Sequence, residues 1–262
     1  MIQKSALIYK KLGETPLEAL ERFRVIQASE GRAEFAGIPM TYAGRLDPMA
    51  EGLLLILLGD ECKMKEKYLG LGKTYEVEIV FGISTDTHDM LGLAEMKDRS
   101  GAAHPAAATD VVVSKVDLQK YVGKFEQRYP AYSSKTVDGR QLHELARAGE
   151  LPDAEDMPSK QVEIHSIELL EVESISADML RNRIFSSIDL VKGGFRQDEI
   201  KDRWTAVFSE KDFPEKLKLM KIKVDCSSGT YMRALAHRIG AELGCGAFAL
   251  SIKRTILGPY QF

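Results

Sequence analysis

Between Thr74 and Phe81 the chain alternates, with Tyr75, Val77, Ile79 and Phe81 on one face of an expected strand. Val162 to Val172 and Leu219 to Val224 carry a strand signal too, Leu7 to Tyr9 a shorter one, and the apolar run Leu53 to Leu58 suits one buried strand. Helical spacing takes over elsewhere. Thr15-Pro16-Leu17-Glu18 sets a capping threonine, a proline at the first helical position and a glutamate three residues after the cap, opening a helix that runs to about Val25. Gln141 to Ala148, after the Asp138-Gly139 turn, reads as a short helix stopped by Gly149. Thr230 to Leu243 reads as another, ended by Gly244. From Ser176 to Phe208, Leu180, Ile184 and Ile188, then Ile200, Trp204 and Phe208, recur every four residues on either side of Lys192-Gly193-Gly194. That spacing predicts a helical hairpin with both apolar stripes turned inward. Ser100 to Thr109, small, Ala-rich and Pro-containing, suits an exposed loop. Strands and helices mix without regular β-α alternation, and no internal repeat is evident, so the fold class is α+β.

Length and composition narrow the options. The chain has 262 residues, 44% hydrophobic and 29% charged, enough to bury a real core in one large domain or two modest ones. No stretch approaches the roughly 20 apolar residues that span a bilayer, and the first residues do not resemble a signal peptide. Cys62, Cys226 and Cys245 are odd in number, widely separated and without C-x-x-C or His/Cys ligand spacing. A reduced, cytoplasmic protein without a structural metal is the expectation. A formal net charge of −3 runs against a nucleic-acid partner, but the distribution is uneven. From Cys226 onward Arg233, Arg238, Lys253 and Arg254 face one carboxylate, Glu242, and Arg128, Lys135, Arg140 and Arg147 cluster in another segment.

The densest chemical signal is Ala43-Gly44-Arg45-Leu46-Asp47-Pro48-Met49-Ala50-Glu51-Gly52. It sets an aspartate on a Gly- and Pro-bounded loop leading into a buried strand. A carboxylate there is either a rigidly held nucleophile open to a cleft or a turn aspartate capping backbone N–H groups.

This segment resembles the G-x-L-D-P-x-A-x-G motif of TruB-type pseudouridine synthases. The resemblance continues in order along nearly the whole chain. Lys10-Lys11-Leu12-Gly13 with Thr15 is similar to the family's K-P-x-G-x-S/T, and Lys73-Thr74-Tyr75 to its K-x-Y strand. Phe81-Gly82, Thr85-Asp86-Thr87, Asp89 and Gly92 match its F-G-x-x-T-D-T-x-D-x-x-G element. Tyr129-Pro130-Ala131-Tyr132-Ser133-Ser134-Lys135 resembles its P-x-Y-S-A-x-K segment, with Gly139 and Ala146-Arg147-x-Gly149 following. Cys226-Ser227-Ser228-Gly229-Thr230-Tyr231-Met232-Arg233 resembles its C-S-x-G-T-Y-I-R motif, and Leu243 to Ala247 through Lys253-Arg254 its closing pattern.

The resemblance implies one catalytic domain over 1–262, built on a central mixed, mainly antiparallel sheet flanked by helices. It implies conversion of uridine to pseudouridine in tRNA, at position 55 of the T-arm loop, with no cofactor and no metal. By the same resemblance Asp47 is the carboxylate that attacks the target nucleotide or assists its elimination. Tyr75 is the tyrosine that stacks on the flipped base and serves as a base in turnover. Arg233 is the arginine that pairs with the aspartate, keeping it ionised and fixing its rotamer. The aspartate loop and Tyr75 are expected to line the cleft, with Arg233 reaching in. Tyr129 to Gly149 resembles the family's RNA-gripping segment; its basic residues either touch phosphates or form a solvated face. The residues expected to meet RNA are Lys10, Tyr42, Arg45, Lys73, Tyr132, Lys135, Arg147, Lys253 and Arg254, with Lys10 equally suited to supporting the loop.

Departures from the pattern are specific. Lys11 and Pro16 replace a proline and a second Ser/Thr, and Tyr42 stands where the family usually carries a histidine five residues before the aspartate. Gly44-Arg45-Leu46-Asp47 is the form of the RsuA and RluA synthases, which act on rRNA, and an enzyme of that type is the nearest alternative. The hairpin, an insertion over 176–216, lies where the family has a short connection; Arg181, Arg183, Lys192 and Arg196 are its candidates for RNA contact. The chain is expected to lack a C-terminal PUA domain, to need no obligate protein partner and to be a monomer. A non-catalytic RNA-binding or RNA-folding module on the same scaffold is a further reading, disfavoured because a pure binder has no need of Asp47, Tyr75 and Arg233 together. A small-molecule enzyme lacks support from phosphate-loop or dinucleotide spacing.

Overall fold

The computed structural model describes residues 4–32, 35, 37–96, 113 and 116–261. The expected loop at Ser100 to Thr109 lies outside them. The amino-terminal part runs β1 (Ser5–Lys10), α1 (Pro16–Ser29), β2 (Met40–Ala43), β3 (Ala50–Leu58), α2 (Lys65–Leu69) and β4 (Lys73–Phe81). A short ribbon follows, β5 (Ile83–Thr85) with β6 (Ala94–Met96), then β7 (Gly123–Arg128). A small knob is built from β8 (Thr136–Val137), β9 (Arg140–Gln141) and α3 (Leu142–Ala148). The long β10 (Ser159–Ser176) leads into α4 (Ala177–Leu190) and α5 (Gln197–Phe208). β11 (Lys216–Cys226), α6 (Met232–Glu242), β12 (Ala247–Leu257) and β13 (Tyr260–Gln261) complete the chain.

Nine strands form one sheet in the order β1-β3-β12-β4-β11-β10-β7, with β2 on β3 and β13 on β12. Every pairing is antiparallel except β3 with β12, which is parallel. The mixed, mainly antiparallel sheet expected of an α+β chain is therefore present. The strand over Leu53 to Leu58 is buried along its whole length because α1 covers one face and β1 and β2 pair along its edges. Thr15 caps α1 as its sequence requires: its hydroxyl accepts from the Glu18 N–H at 3.2 Å, and the Glu18 carboxylate takes the Thr15 N–H at 2.7 Å.

The hairpin is real and belongs to the main core. Leu180, Ile184, Ile188, Ile200 and Trp204 are buried with the sheet residues Ile79 and Phe248, and Phe208 packs against them. Trp204 lies 5.3 Å from the Phe248 ring and donates its indole N–H to the Met90 carbonyl at 3.1 Å. Its Gly193 turn is stitched by Gln197, whose amide donates to the carbonyls of Gly193 at 2.6 Å and Val191 at 3.1 Å.

Candidate active site

The aspartate loop hangs between β2 and β3 and is held from below. Gly13 donates its N–H to the Pro48 carbonyl at 2.9 Å, and the Lys10 ammonium donates to Ala50 O at 2.5 Å and Lys11 O at 3.1 Å. Arg254, from β12, donates to Leu53 O at 2.7 Å and Gly44 O at 3.1 Å. Lys73 donates to the carbonyls of Leu71 and Leu69. Gly52 has φ +112°, and a Cβ there would sit 2.2 Å from the Arg254 carbonyl, so only glycine lets β3 meet β12. Lys10, Lys73 and Arg254 are all buried, and burial brings both lysines down to about 8. All three are turned away from the surface and donate to backbone carbonyls, which for Lys10 is the loop-supporting one of its two expected roles. Strand phase carried the signal. Lys10 falls in step with Ala6, Lys73 with Tyr75 and Val77, and Arg254 with Leu250 and Ile252, all on the buried phase.

Above that platform Asp47 meets Arg233. Arg233 sits near the start of α6 with its side chain 3% exposed, while that of Asp47 is 39% exposed. Its Nε donates to Asp47 Oδ2 at 2.8 Å, Nη1 to Thr87 O at 2.7 Å and Nη2 to Tyr132 O at 3.3 Å. The arrangement hides the cation and presents the carboxylate. Sequence reasoning gave Asp89 no role, yet its Oδ2 lies 3.3 Å from the same Nε. Asp89 is fixed by the Thr87 hydroxyl at 2.7 Å and the Leu91 N–H at 2.9 Å. Burial pushes its carboxyl up to about 6, outweighing the pull of Arg233. Burial alone would lower Arg233, but Asp47 and Asp89 hold it above its usual value. His88, at φ +64°, stacks on His237 with ring centroids 3.9 Å apart, and burial beside His237 and Arg233 lowers it to about 3, so its ring is neutral. A second carboxylate and a neutral imidazole thus back the pair.

Tyr75 is 7% exposed and lies opposite Arg254 in the β4–β12 register. Burial raises its hydroxyl, although Arg254 opposes the shift. Tyr231 was not singled out by itself in the sequence. Its backbone is clamped at both polar ends by Gln127 (2.8 and 3.1 Å), its ring meets Tyr129 edge-on at 5.8 Å, and the Arg233 guanidinium lies 5.9 Å from it. The remaining expected residues divide by position. Arg45 and Lys253 are exposed, and Tyr42 is half-buried against the α1 cluster with the Lys65 ammonium 5.2 Å from its ring. Lys135 and Arg147 are exposed on the knob, while half-buried Tyr132 stands at its base. Of the four hairpin candidates, Arg196 turns inward to pair with Asp86, Arg183 pairs with Glu78 while staying 40% exposed, and Arg181 and Lys192 are exposed. Among the described residues no group of three His, Cys, Asp or Glu side chains is set to hold a metal ion.

Comparison with known proteins meets this geometry from outside. Residues 36–186 match the family described as TruB family pseudouridylate synthase (N terminal domain). The tRNA pseudouridine synthase B of Bordetella pertussis is 33% identical over 259 residues, covering 97% of this chain and 81% of the relative. That of Aromatoleum aromaticum is 34% identical over 221 residues, covering 84% and 54%. Among solved structures, a chain of a Cbf5-Nop10-Gar1 complex superposes with a TM-score of 0.52 at 18% identity, over 98% of this chain and 50% of that one. At that identity the likeness speaks for the fold.

Proposed function

The chain belongs to the TruB family of pseudouridylate synthases, and from that premise we propose that it isomerises a uridine in the T-arm loop of tRNA, position 55, with Asp47 as the catalytic carboxylate. The observation that carries the reading is the open Asp47 carboxylate fixed at 2.8 Å by an almost wholly buried Arg233. In the reaction the bond between C1′ and N1 breaks, the uracil turns, and C1′ joins C5. C5 loses its proton and N1 gains one, so no oxidant or cofactor is consumed.

Asp47 attacks, or assists departure of the base, from an orientation that Arg233 maintains through the loss and re-formation of the bond. Tyr75 provides a ring for the flipped base, and burial keeps its hydroxyl protonated at neutral pH in the free protein, which favours stacking over proton removal as its resting role. Lys135, Arg147, Arg45 and Lys253 are exposed and suited to phosphates, which set the position of the RNA without reading its sequence. The relatives' names supply tRNA as substrate. A monomeric, cytoplasmic enzyme in one catalytic domain, with the hairpin as an insertion, completes the proposal.

The test is pseudouridine mapping on an unmodified tRNA transcript with the wild-type chain and with Asp47→Asn. One modified position in the T-loop, absent with the variant, supports reaction, target and carboxylate together. Modification elsewhere that the variant also loses moves the target and points to Tyr42. A folded wild type that binds tRNA and rRNA but modifies neither refutes the catalytic reading.

A further inference from the structure

The hairpin of α4 and α5 touches the supports of the active site at three points. Leu190, at the end of α4, packs so closely on Gly13 that a Cβ there would lie 2.6 Å from the Leu190 carbonyl, and Gly13 is the residue that holds Pro48 beside Asp47. Arg196, at φ +60°, pairs with Asp86 at 2.9 Å and lays its guanidinium 4.5 Å from the Tyr132 ring centroid. Phe195, its neighbour, receives Arg147 of the knob at 5.9 Å. The tip and the knob therefore clasp each other in opposite senses, a cation of the hairpin on an aromatic of the knob and the reverse.

Part of the hairpin's charge is engaged within the protein. Arg183 pairs with Glu78, Lys201 with Asp189 of the same hairpin, and Arg203 donates to Ala94 O at 2.6 Å. The exposed charges are of both signs, Asp198, Glu199 and Asp202 with Arg181 and Lys192, so the hairpin offers RNA no single-sign face. An arginine kept in the left-handed region by a cross-linked turn indicates that the placement of its side chain matters.

We propose that the hairpin tip is a built-in brace for the RNA-gripping knob, and that Arg196 is a positioning residue that fixes the knob through Tyr132 and Asp86. The proposal rests on the reading of the chain as an RNA-modifying enzyme only for its catalytic consequence. Tyr132 joins the hairpin tip to the knob. Its ring is held by Arg196, and past it the knob presents Lys135 and Arg147. Freeing that ring loosens the knob while Arg233 keeps Thr87, Asp89 and Asp47.

The experiment uses the full chain with Arg196→Gln and Arg196→Lys. In the free protein, amide hydrogen exchange across residues 133–149 speeds up at least about fivefold in the Gln variant while β4 exchanges as in wild type. With a tRNA transcript, KM rises about tenfold and kcat stays within about threefold. The Lys variant keeps the charge facing Asp86 but lacks a planar face for Tyr132, and falls between. A KM within about twofold of wild type, or equal acceleration of exchange in β4, overturns the proposal. A wild type that forms no pseudouridine in tRNA overturns the substrate reading instead, and exchange alone then decides the brace.

Discussion

Arg233→Lys keeps the charge beside Asp47 and removes the fork that distributes it. In the wild type one guanidinium serves Asp47 at 2.8 Å, Asp89 at 3.3 Å, Thr87 O at 2.7 Å and Tyr132 O at 3.3 Å. A lysine ammonium on a flexible stem reaches one corner of that set at a time. If it stays with buried Asp89 and Thr87, the half-exposed Asp47 is released to swing. Hydrogen bonds to a charged group contribute about 1.5–3 kcal/mol each, and two lost ones bound the stability loss at about 3–6 kcal/mol before relaxation. For the chemical step, surrendering about 2–3 kcal/mol of carboxylate orientation slows the reaction about 30- to 160-fold, since about 1.4 kcal/mol is one decade. The assay is single-turnover release of tritium from C5 of labelled uridine in a tRNA transcript, with enzyme in excess so that binding does not limit. Urea unfolding of the same preparation gives the folded fraction. A rate within about threefold of wild type refutes the orientation argument, and so does a rate that merely tracks the folded fraction.

Three further outcomes are expected. Lys10→Met leaves RNA affinity within about twofold, because Lys10 has no surface, yet slows catalysis about tenfold by freeing the Ala50 carbonyl; Lys135→Ala does the reverse and lowers the salt dependence of binding by about one charge, as filter binding at several salt concentrations reports. Gly52→Ala costs at least about 2–4 kcal/mol in urea unfolding, because its Cβ would meet the Arg254 backbone at 2.2 Å; a smaller loss means β3 and β12 can part cheaply. Asp89 has its folded pKa raised to about 6 from an unfolded value near 3.9, so its contribution is present in acid and lost as pH rises through 6. The stability difference between wild type and Asp89→Asn accordingly shifts against the wild type by about 2 kcal/mol from pH 4 to above 6, and a flat difference contradicts the assignment.

Local rules carried the elements far. The Thr15 capping box, the alternation of β4 and the four-residue stripes of the hairpin each act over a few residues, and each appears where the chain places it, with α1 running on to Ser29 rather than stopping near Val25. What local rules do not contain is which segments meet across the sheet. Asp89 is a motif position without a role until Arg233, far along the chain, arrives beside it. Lys73 and Arg254 read as RNA contacts, and Lys10 as either an RNA contact or a support of the loop, because each is a cation inside a family motif, whereas strand phase points all three inward. The pairing of Arg183 and Arg196 likewise depends on Glu78 and Asp86, which no periodicity sets beside them.

The parallel junction of β3 with β12 also orders events during synthesis. β12 stands between β3 and β4, so it joins the two halves of the sheet, and it supplies the arginine beneath Gly44. The aspartate loop leaves the ribosome some two hundred residues before that strand does. A nascent chain ending ahead of Arg254 has Asp47 already made, with Lys10 and Gly13 beneath its loop, but lacks the arginine under Gly44. The support of the loop is therefore complete only once the last long strand lies between β3 and β4.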